Sequence, residues 1–456
     1  MQFRVVHRCS PDWKALTALA LLVPGLAAVR PAAVVAQPTA ADVTAPSAPT
    51  TSAPAAQPKP AAPAPVVLPK AAPTMTDSAA RFVAVLFADL PGWADDDHLA
   101  AFKAFLTSCP RVQALAKLPA KANRASVPPS LVASCDAALA LPAKLTKVQA
   151  RDFFEHHFQP RRVIHATAHG LLTGYYEPLL EGSRKREGRF QTPIYRRPSD
   201  LVNVVDETQR GAVGTAFTHM RQTQAGLVPF ASRAEIDAGA LKEQNLELLF
   251  LADPVDVFFL QVQGSGRVKL PDGTIVRVHY DGKNGHPYTS IGRYLIDKGL
   301  FAADKMSLGA LGRWLRSDPG RAQKVMQQNA SYVFFRELAN DAAAPLGAML
   351  APLTSGRSLA VDPRFHALGS PVYVSAPTLT HALKGKPFQR LMVAHDVGSA
   401  IKGPERGDIY FGSGETAGRI AGVTKHPGHF FVLEARQSPV PAAAPAPTTA
   451  AKQAKP

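Results

Sequence analysis

Cysteine is nearly absent: the chain has three in 456 residues, Cys9, Cys109 and Cys135. Cys9 stands before the first apolar run and the other two lie far beyond it, so none sits directly after that run, where a lipid would be attached. Cys109 and Cys135 lack His or Cys neighbours at ligand spacing, which removes the usual zinc signal. As an even pair in an oxidising compartment they are expected to form a disulfide, two buried thiols being the other reading. Long apolar runs are also missing. The first, Ala15 to Val29, is short and broken by Pro24 and Gly25, which disfavours a spanning helix. No heptad persists and no tandem period recurs, excluding a coiled coil and a solenoid. Acidic residues are scarce beside basic ones, 35 against 51, for a net charge of +16.

Arg4, Arg8 and Lys14 precede that apolar run, and Val34-Val35-Ala36 follows it with small residues. Residues 1–36 therefore read as a secretory signal, an uncleaved anchor being the alternative. An exported basic protein does not routinely meet nucleic acid; its counter-charge is cell-wall carboxylate or anionic lipid. Residues 37–78 are almost entirely Ala, Pro, Thr, Ser and Val, a spacer that cannot bury a core. Residues 438–456 share that composition and are expected to be a disordered tail.

Between these, Ala79, Phe82, Val83, Leu86 and Phe87 recur at helical spacing, as do Leu99, Phe102 and Phe105, and Lys147 to Phe158 reads as a further helix. From His165 onward short apolar runs alternate with Gly, Pro, Asp and Asn. Val255–Val262, Ile275–Tyr280, Val372–Val374, Arg390–Ala394 and Phe430–Leu433 are expected strands. Ala234–Ala240, Ser290–Lys298 and Leu308–Ser317 are expected helices. The class is mainly β with a helical start.

The sharpest chemical signal lies in the C-terminal third. A buried strand, Arg390 to Ala394, runs into His395-Asp396-Val397-Gly398-Ser399-Ala400-Ile401-Lys402-Gly403. Asp408-Ile409-Tyr410-Phe411 follows a glycine, and Val361-Asp362-Pro363 precedes another strand. Three aspartates thus sit at strand ends or in glycine-rich turns, where a small barrel exposes side chains at its mouth. Asp in a glycine turn commonly bonds only backbone, and for Asp362 and Asp396 that reading stands beside the functional one. Asp408 opens a strand and is the better candidate for a functional carboxylate. Tyr175, Tyr176 and Tyr288 offer flat faces and hydroxyls, and Gln263 and Asn284 paired donors and acceptors, all suited to sugar. Tyr pairs are equally often core residues. Gly264-Ser265-Gly266 has no following Lys for a phosphate site, and Ser265 lacks a nucleophile elbow; Ser265 is counted among the expected sugar-binding residues. His279, His286 and His395 are scattered, which gives no metal site.

Gly174-Tyr175-Tyr176-Glu177-Pro178, Thr192-Pro193-Ile194-Tyr195-Arg196-Arg197-Pro198, Gln261-Val262-Gln263-Gly264-Ser265-Gly266 and Gly282-Lys283-Asn284-Gly285-His286-Pro287-Tyr288 occur in order. Asn329-Ala330-Ser331-Tyr332-Val333-Phe334-Phe335 and the three-aspartate module follow. With these motifs the chain, over about Ala166 to Ala435, resembles the membrane-bound lytic transglycosylase A family of murein-degrading enzymes. The resemblance implies a double-psi β-barrel domain with an inserted second β domain and a helical N-terminal region. It places the first barrel segment within 79–175, the insert at 176–335 and the three-aspartate barrel module at 336–437. It implies that peptidoglycan glycan strands lie in the groove between the two, and that Asp408 is catalytic with Asp396 and Asp362 supporting. No cofactor and no metal is implied. The expected protein is a periplasmic monomer, with cell-wall synthesis or division proteins as the partner class to consider and an outer-membrane association left open.

Hydrolytic glycosidases need two carboxyl groups, whereas a lytic enzyme lets the substrate's own hydroxyl replace water, so one aspartate serves both proton steps. Asp408 must then be protonated as substrate binds. Desolvation favours that and a nearby Lys402 opposes it, so Lys402 is expected to point elsewhere or to bond the sugar. Two alternatives stay open: a barrel that grips peptidoglycan without cutting it, and a hydrolase in which Asp396 and Asp408 share a proton at about 3 Å.

Overall fold

The computed structural model describes residues 80–118, 127–205, 217–339 and 344–437. The expected signal, spacer and tail lie outside them. The chain enters on β1 (Arg81–Ala84), passes through α1 (His98–Ala116), α2 (Pro129–Ala140) and α3 (Lys147–His157), and continues into β2 (Phe158–Ile164) and β3 (Gly170–Glu177). Asp97 caps α1 by accepting from Ala100 N, and a Thr146/Gln149 capping box starts α3. Sulfur bonding joins Cys109 on α1 to Cys135 on α2, both fully buried.

Next comes a mixed segment: β4 (Leu179–Ser183), β5 (Thr192–Tyr195), β6 (Leu201–Asn203), β7 (His219–Thr223), β8 (Gly226–Val228), α4 (Arg233–Asp237) and β9 (Glu247–Leu251). It continues through α5 (Pro254–Gln263), β10 (Ser265–Lys269), β11 (Ile275–Lys283), α6 (Ile291–Asp297), α7 (Leu308–Arg316), α8 (Pro319–Met326) and β12 (Val333–Glu337). The chain then returns on β13 (Ser358–Val361), β14 (Pro371–Ala376), β15 (Phe388–Val397), β16 (Arg406–Ser413), α9 (Gly414–Val423) and β17 (Lys425–Ala435).

Strands β17, β14, β15, β13, β16 and β3 pair in that order, and β3 pairs back onto β17, closing a barrel; β2 and β1 extend it from β17. Two of the barrel's pairs, β13–β15 and β16–β3, are parallel. Between β3 and β13 the chain builds a second, six-stranded sheet, β12-β11-β10-β4-β9-β5, and the small sheet β6-β7-β8. The architecture is thus mainly β: a double-psi β-barrel domain carrying an inserted β domain, with a helical N-terminal region. α1 to α3 share one core with the barrel, where Phe105, Phe154 and Phe158 meet Leu359, Val372 and Phe430. The inserted sheet has its own core around Leu249, Leu260, Val268 and Phe335.

Two segments depart from the periodicity reading. Residues 81–84 form an edge strand, because antiparallel pairing of Arg81–Ala84 with β2 outweighs the local helical spacing of Phe82 and Val83. The apolar run Val255–Val262 is helical within α5. Asp253 accepts from Val255 N and Pro254 occupies the first turn, start signals that outrank β-branched composition. Gly264 ends α5 with φ +81°, a left-handed turn that sends the chain directly into β10.

Arg357 fixes the helical region to the barrel. Its guanidinium donates to Asp96 Oδ1 at 2.7 Å and Oδ2 at 2.8 Å and to Leu391 O at 2.8 Å, and both charged side chains are almost wholly buried. Asp96→Ala leaves that cation buried without its partner and is expected to lower unfolding free energy by about 3–5 kcal/mol in urea titration. A loss below about 1 kcal/mol would show that the pair does not hold the two parts together.

Candidate active site

Parallel pairing of β3 with β16 sets Thr173 opposite Asp408 and Tyr175 opposite Tyr410, and β13 brings Ala360 against Asp408 from the other side. Thr173 Oγ1 donates to Asp408 Oδ1 at 2.6 Å, and Arg406 Nη2 donates to Thr173 Oγ1 at 2.9 Å. Threonine's hydroxyl, having accepted from the arginine, is thereby oriented to give its proton to the aspartate. Oδ1 is committed as an acceptor, so Oδ2 is the oxygen on which a transferable proton can sit. Asp408 is largely buried beside a cavity, enclosed closely enough that desolvation holds its pKa above the usual carboxylate value; the Arg406 charge and the Thr173 hydrogen bond pull it back only partly.

Asp396, at the end of β15, is a different kind of carboxylate. Its Oδ1 accepts from Ala348 N and Val397 N, each at 2.9 Å, and its Oδ2 accepts from the Tyr175 hydroxyl at 3.1 Å. Three donors commit both oxygens to accepting, the opposite of a carboxyl that shares a proton with Asp408. Burial first, then the charges of Asp396 and Asp408, push the Tyr175 phenol well above its ordinary pKa. Asp362 is fully buried, accepts from Gly403 N at 2.8 Å and pairs with Arg364 at 2.6 Å; it anchors the loop leading to β16 and is absent from the cavity wall.

The cavity has a volume of about 630 Å³ between the barrel mouth and the inserted domain. Of the residues singled out from sequence, Tyr175, Gln263, Ser265, Tyr288, Asp396 and Asp408 line it. Tyr288 is near enough for the Asp408 charge to add to the burial that raises its phenol pKa. Three expected sugar-binding residues do not line it. Tyr176 takes the opposite face of β3 from Tyr175, as strand alternation requires, and its ring packs where a side chain on Gly418 of α9 would stand, 2.7 Å away. Asn284 is fully buried, donating to Ala231 O and Ala330 O and accepting from Tyr332 N, each at 2.8 Å, so its whole amide is spent on backbone. Lys402 is exposed because its neighbour Ile401 takes the inward position.

Residues 171–336 match the MltA specific insert domain and residues 357–434 match the 3D domain. Over 268 residues the chain is 37% identical to membrane-bound lytic murein transglycosylase A of Escherichia coli (strain K12), an alignment covering 58% of this chain and 65%, just under two thirds, of that relative. The crystal structure of the membrane-bound lytic murein transglycosylase from Agrobacterium tumefaciens superposes with a TM-score of 0.70 at 37% identity, covering 78% of this chain and 98% of that one. The chain belongs to the membrane-bound lytic murein transglycosylase A family. A further relative, E. coli MltA crystallised with bound chitohexaose, aligns at 29% identity with a TM-score of 0.55, over 78% of this chain and 94% of that one.

Four residues at or beside this cavity fall outside those singled out from the sequence. Arg406 lies two residues before Asp408 and Thr173 two before Tyr175, so strand alternation places each on the same face as a residue already singled out. That signal was readable. Arg233 lies outside every motif and Lys283 inside one, yet both are buried cations on the cavity wall, Lys283 Nζ donating to Ser399 Oγ at 3.1 Å and Arg233 to Asn329 O and Ser331 O at 3.0 and 2.7 Å. Packing within the insert places Arg233, and Lys283 meets the barrel through Ser399.

A carboxyl whose folded-state pKa is raised binds its proton more tightly in the native state than in the unfolded chain. Native stability is then lost as pH rises from the ordinary carboxylate range through the raised value. Asp408→Asn removes this penalty while keeping an acceptor for Thr173. Its thermal midpoint is expected to gain on the parent's as pH rises from about 4 to about 8, the two converging at lower pH. A difference that shrinks with rising pH would mean that Arg406 outweighs desolvation.

Proposed function

We propose that the chain is a peptidoglycan lytic transglycosylase in which Asp408 acts first as acid and then as base. The observation that carries this reading is one cavity carboxyl biased toward its neutral form, with Oδ1 held by Thr173. The two other carboxylates on the cavity wall are engaged: Asp396 by three donors, and Asp281, whose side chain lies 3.8 Å from Arg336. A glycan strand bound in the cavity presents the oxygen joining C1 of N-acetylmuramic acid to N-acetylglucosamine. Asp408 Oδ2 gives its proton to that oxygen as the C1–O bond breaks. The muramyl C6 hydroxyl attacks C1, and its proton passes to the carboxylate just formed. One C–O bond is broken and one made, no water enters, and Asp408 is returned protonated. The product is a 1,6-anhydromuramyl end. Tyr175 keeps Asp396 in place through its hydroxyl, and Tyr288 supplies a ring and hydroxyl to the cavity wall.

An enzyme of this kind works where peptidoglycan is, outside the cytoplasmic membrane, consistent with the basic, alanine-rich start of the chain. Among the described residues no helix is long and apolar enough to cross a membrane. The chain acts on glycan strands as a monomer without cofactor in this reading, and the relatives' name, membrane-bound, agrees with a tie to a membrane.

Mass spectrometry of muropeptides released from purified sacculi tests the reaction. Anhydro ends, one water lighter than reducing ends, are expected from the parent, with release by Asp408→Asn lower by about 10²–10⁴-fold. Reducing ends would mean hydrolysis; binding without release by the parent would mean a glycan-gripping barrel. The pH profile gives an independent check. Activity is expected to fall as pH rises through the Asp408 pKa, and Arg406→Met, by removing the cation that lowers that pKa, is expected to carry the falling limb to higher pH. A limb that stays in place would separate Arg406 from the titration of Asp408.

A further inference from the structure

The motif Gln261 to Gly266 contributes more to the cavity than the residues already discussed. α5 ends on the cavity wall, and Gln261, Val262, Gln263, Gly264 and Ser265 all line it. Gln263 is satisfied: its Oε1 accepts from Tyr176 N at 3.0 Å. Gln261 is not. Its side chain is 96% buried, being 4% exposed, and neither Nε2 nor Oε1 has a protein hydrogen-bond partner. The Tyr332 hydroxyl lies beside it, close enough for Gln261 to ease its ionisation, but without hydrogen-bond alignment. A buried amide with both ends unpaired costs roughly 1–3 kcal/mol per group left unsatisfied, so a fold keeps one only where something else uses it. Next to it Val262 leaves 41% of its surface exposed, an apolar spot on a helix otherwise packed into two cores.

An unpaired carboxamide beside a patch of exposed methyls is the complement of one small group: an acetamide, which carries a C=O, an N–H and a methyl. We propose that Gln261 is a specificity residue that reads the 2-acetamido group of an N-acetylhexosamine in the cavity, Nε2 donating to the acetyl oxygen and Oε1 accepting from the amide N–H, with Val262 against the methyl. This rests on the glycan reading above and adds to it the feature of the sugar that is recognised. Because no hydrogen bond holds the Gln261 amide, a turn of its last torsion toward the cavity breaks nothing. A hexose with a hydroxyl at C2 offers one short polar group in place of the acetamide's C=O and N–H and has no methyl for Val262, and so is disfavoured. In Gln261→Met a chain of similar length and flexibility keeps the packing and removes both polar ends.

The test is calorimetric titration of Asp408→Asn protein, which binds without turnover, with chitohexaose and with cellohexaose, neutral hexamers that differ at C2. Two lost hydrogen bonds of about 1 kcal/mol each correspond to roughly a 30-fold change in affinity. The Asp408→Asn protein is therefore expected to prefer chitohexaose by about that factor or more. Adding Gln261→Met is expected to remove the preference by weakening chitohexaose alone, with a thermal midpoint equal or higher because no native hydrogen bond is lost. If the double variant keeps the preference, Gln261 does not read the acetamido group, and the glycan site stands without it. If Asp408→Asn protein binds neither hexamer, the glycan reading itself fails and the inference goes with it.

Discussion

Asp408 is placed by a single strand pairing, β3 alongside β16, and most of the site follows from that register. The pair is parallel, so its two strands come from distant parts of the chain and cannot be joined by a hairpin. It closes the barrel on one side and sets Thr173 directly across from Asp408. A slip of one residue would turn Thr173 away and bring a backbone neighbour in its place. Packing defends the register. A side chain on Gly407 would stand 2.7 Å from the Phe430 ring, and one on Gly174 2.5 Å from the Phe411 ring, so the strands meet correctly only where those glycines fall. The hydrogen bond from Thr173 is therefore a consequence of barrel closure rather than of local sequence around Asp408.

The second constraint is the joint between barrel and insert. Glu177, the last residue of β3, is fully buried where the barrel strand hands the chain to the inserted sheet. Arg277 of β11 donates to it at 2.6 Å, Ser413 at the end of β16 donates at 2.5 Å, and Arg267 of β10 lies 3.6 Å away. One carboxylate thus ties together two strands of the insert and the strand that carries Asp408. Losing it would leave two arginines facing a dry junction, which is far costlier than the pair's net worth. The cavity keeps its shape because its two walls share this anchor, with Lys283 and Ser399 meeting across it.

How much of this was legible in the sequence follows the range of the forces involved. Fold class, family and the aspartates at the barrel mouth were readable, because strand alternation and glycine-bounded motifs are local signals. Tyr176 and Asn284 lie off the cavity wall for a shared reason: a motif says that a residue type matters without saying whether it faces ligand or backbone. Asn284 is as tightly specified as a ligand-binding residue would be, but by Ala231, Ala330 and Tyr332. The edge strand at Arg81 and the helix at Val255 were lost to nonlocal pairing in one case and to an underweighted Asp253-Pro254 start in the other. Arg233 lies outside every motif, and Lys283 inside one that does not say where its side chain goes, since only tertiary packing makes a buried cation part of a cavity.

The three aspartates of the C-terminal module show how one residue type is divided among tasks by its surroundings. Asp362 receives a backbone N–H and an arginine and holds a loop; Asp396 receives two backbone N–H groups and a phenol and holds the cavity floor. Each has its oxygens held as acceptors, and so each serves the fold as an anchor. Asp408 alone has burial without matching donors, one hydroxyl and a cation one step removed. That imbalance weakens the fold above the carboxylate range, and it is the property on which the proposed acid role rests. The scaffold aspartates offset this by fixing the loops on either side of Asp408. A carboxyl that is poor for stability can then be kept at one defined place, with one oxygen turned toward the cavity.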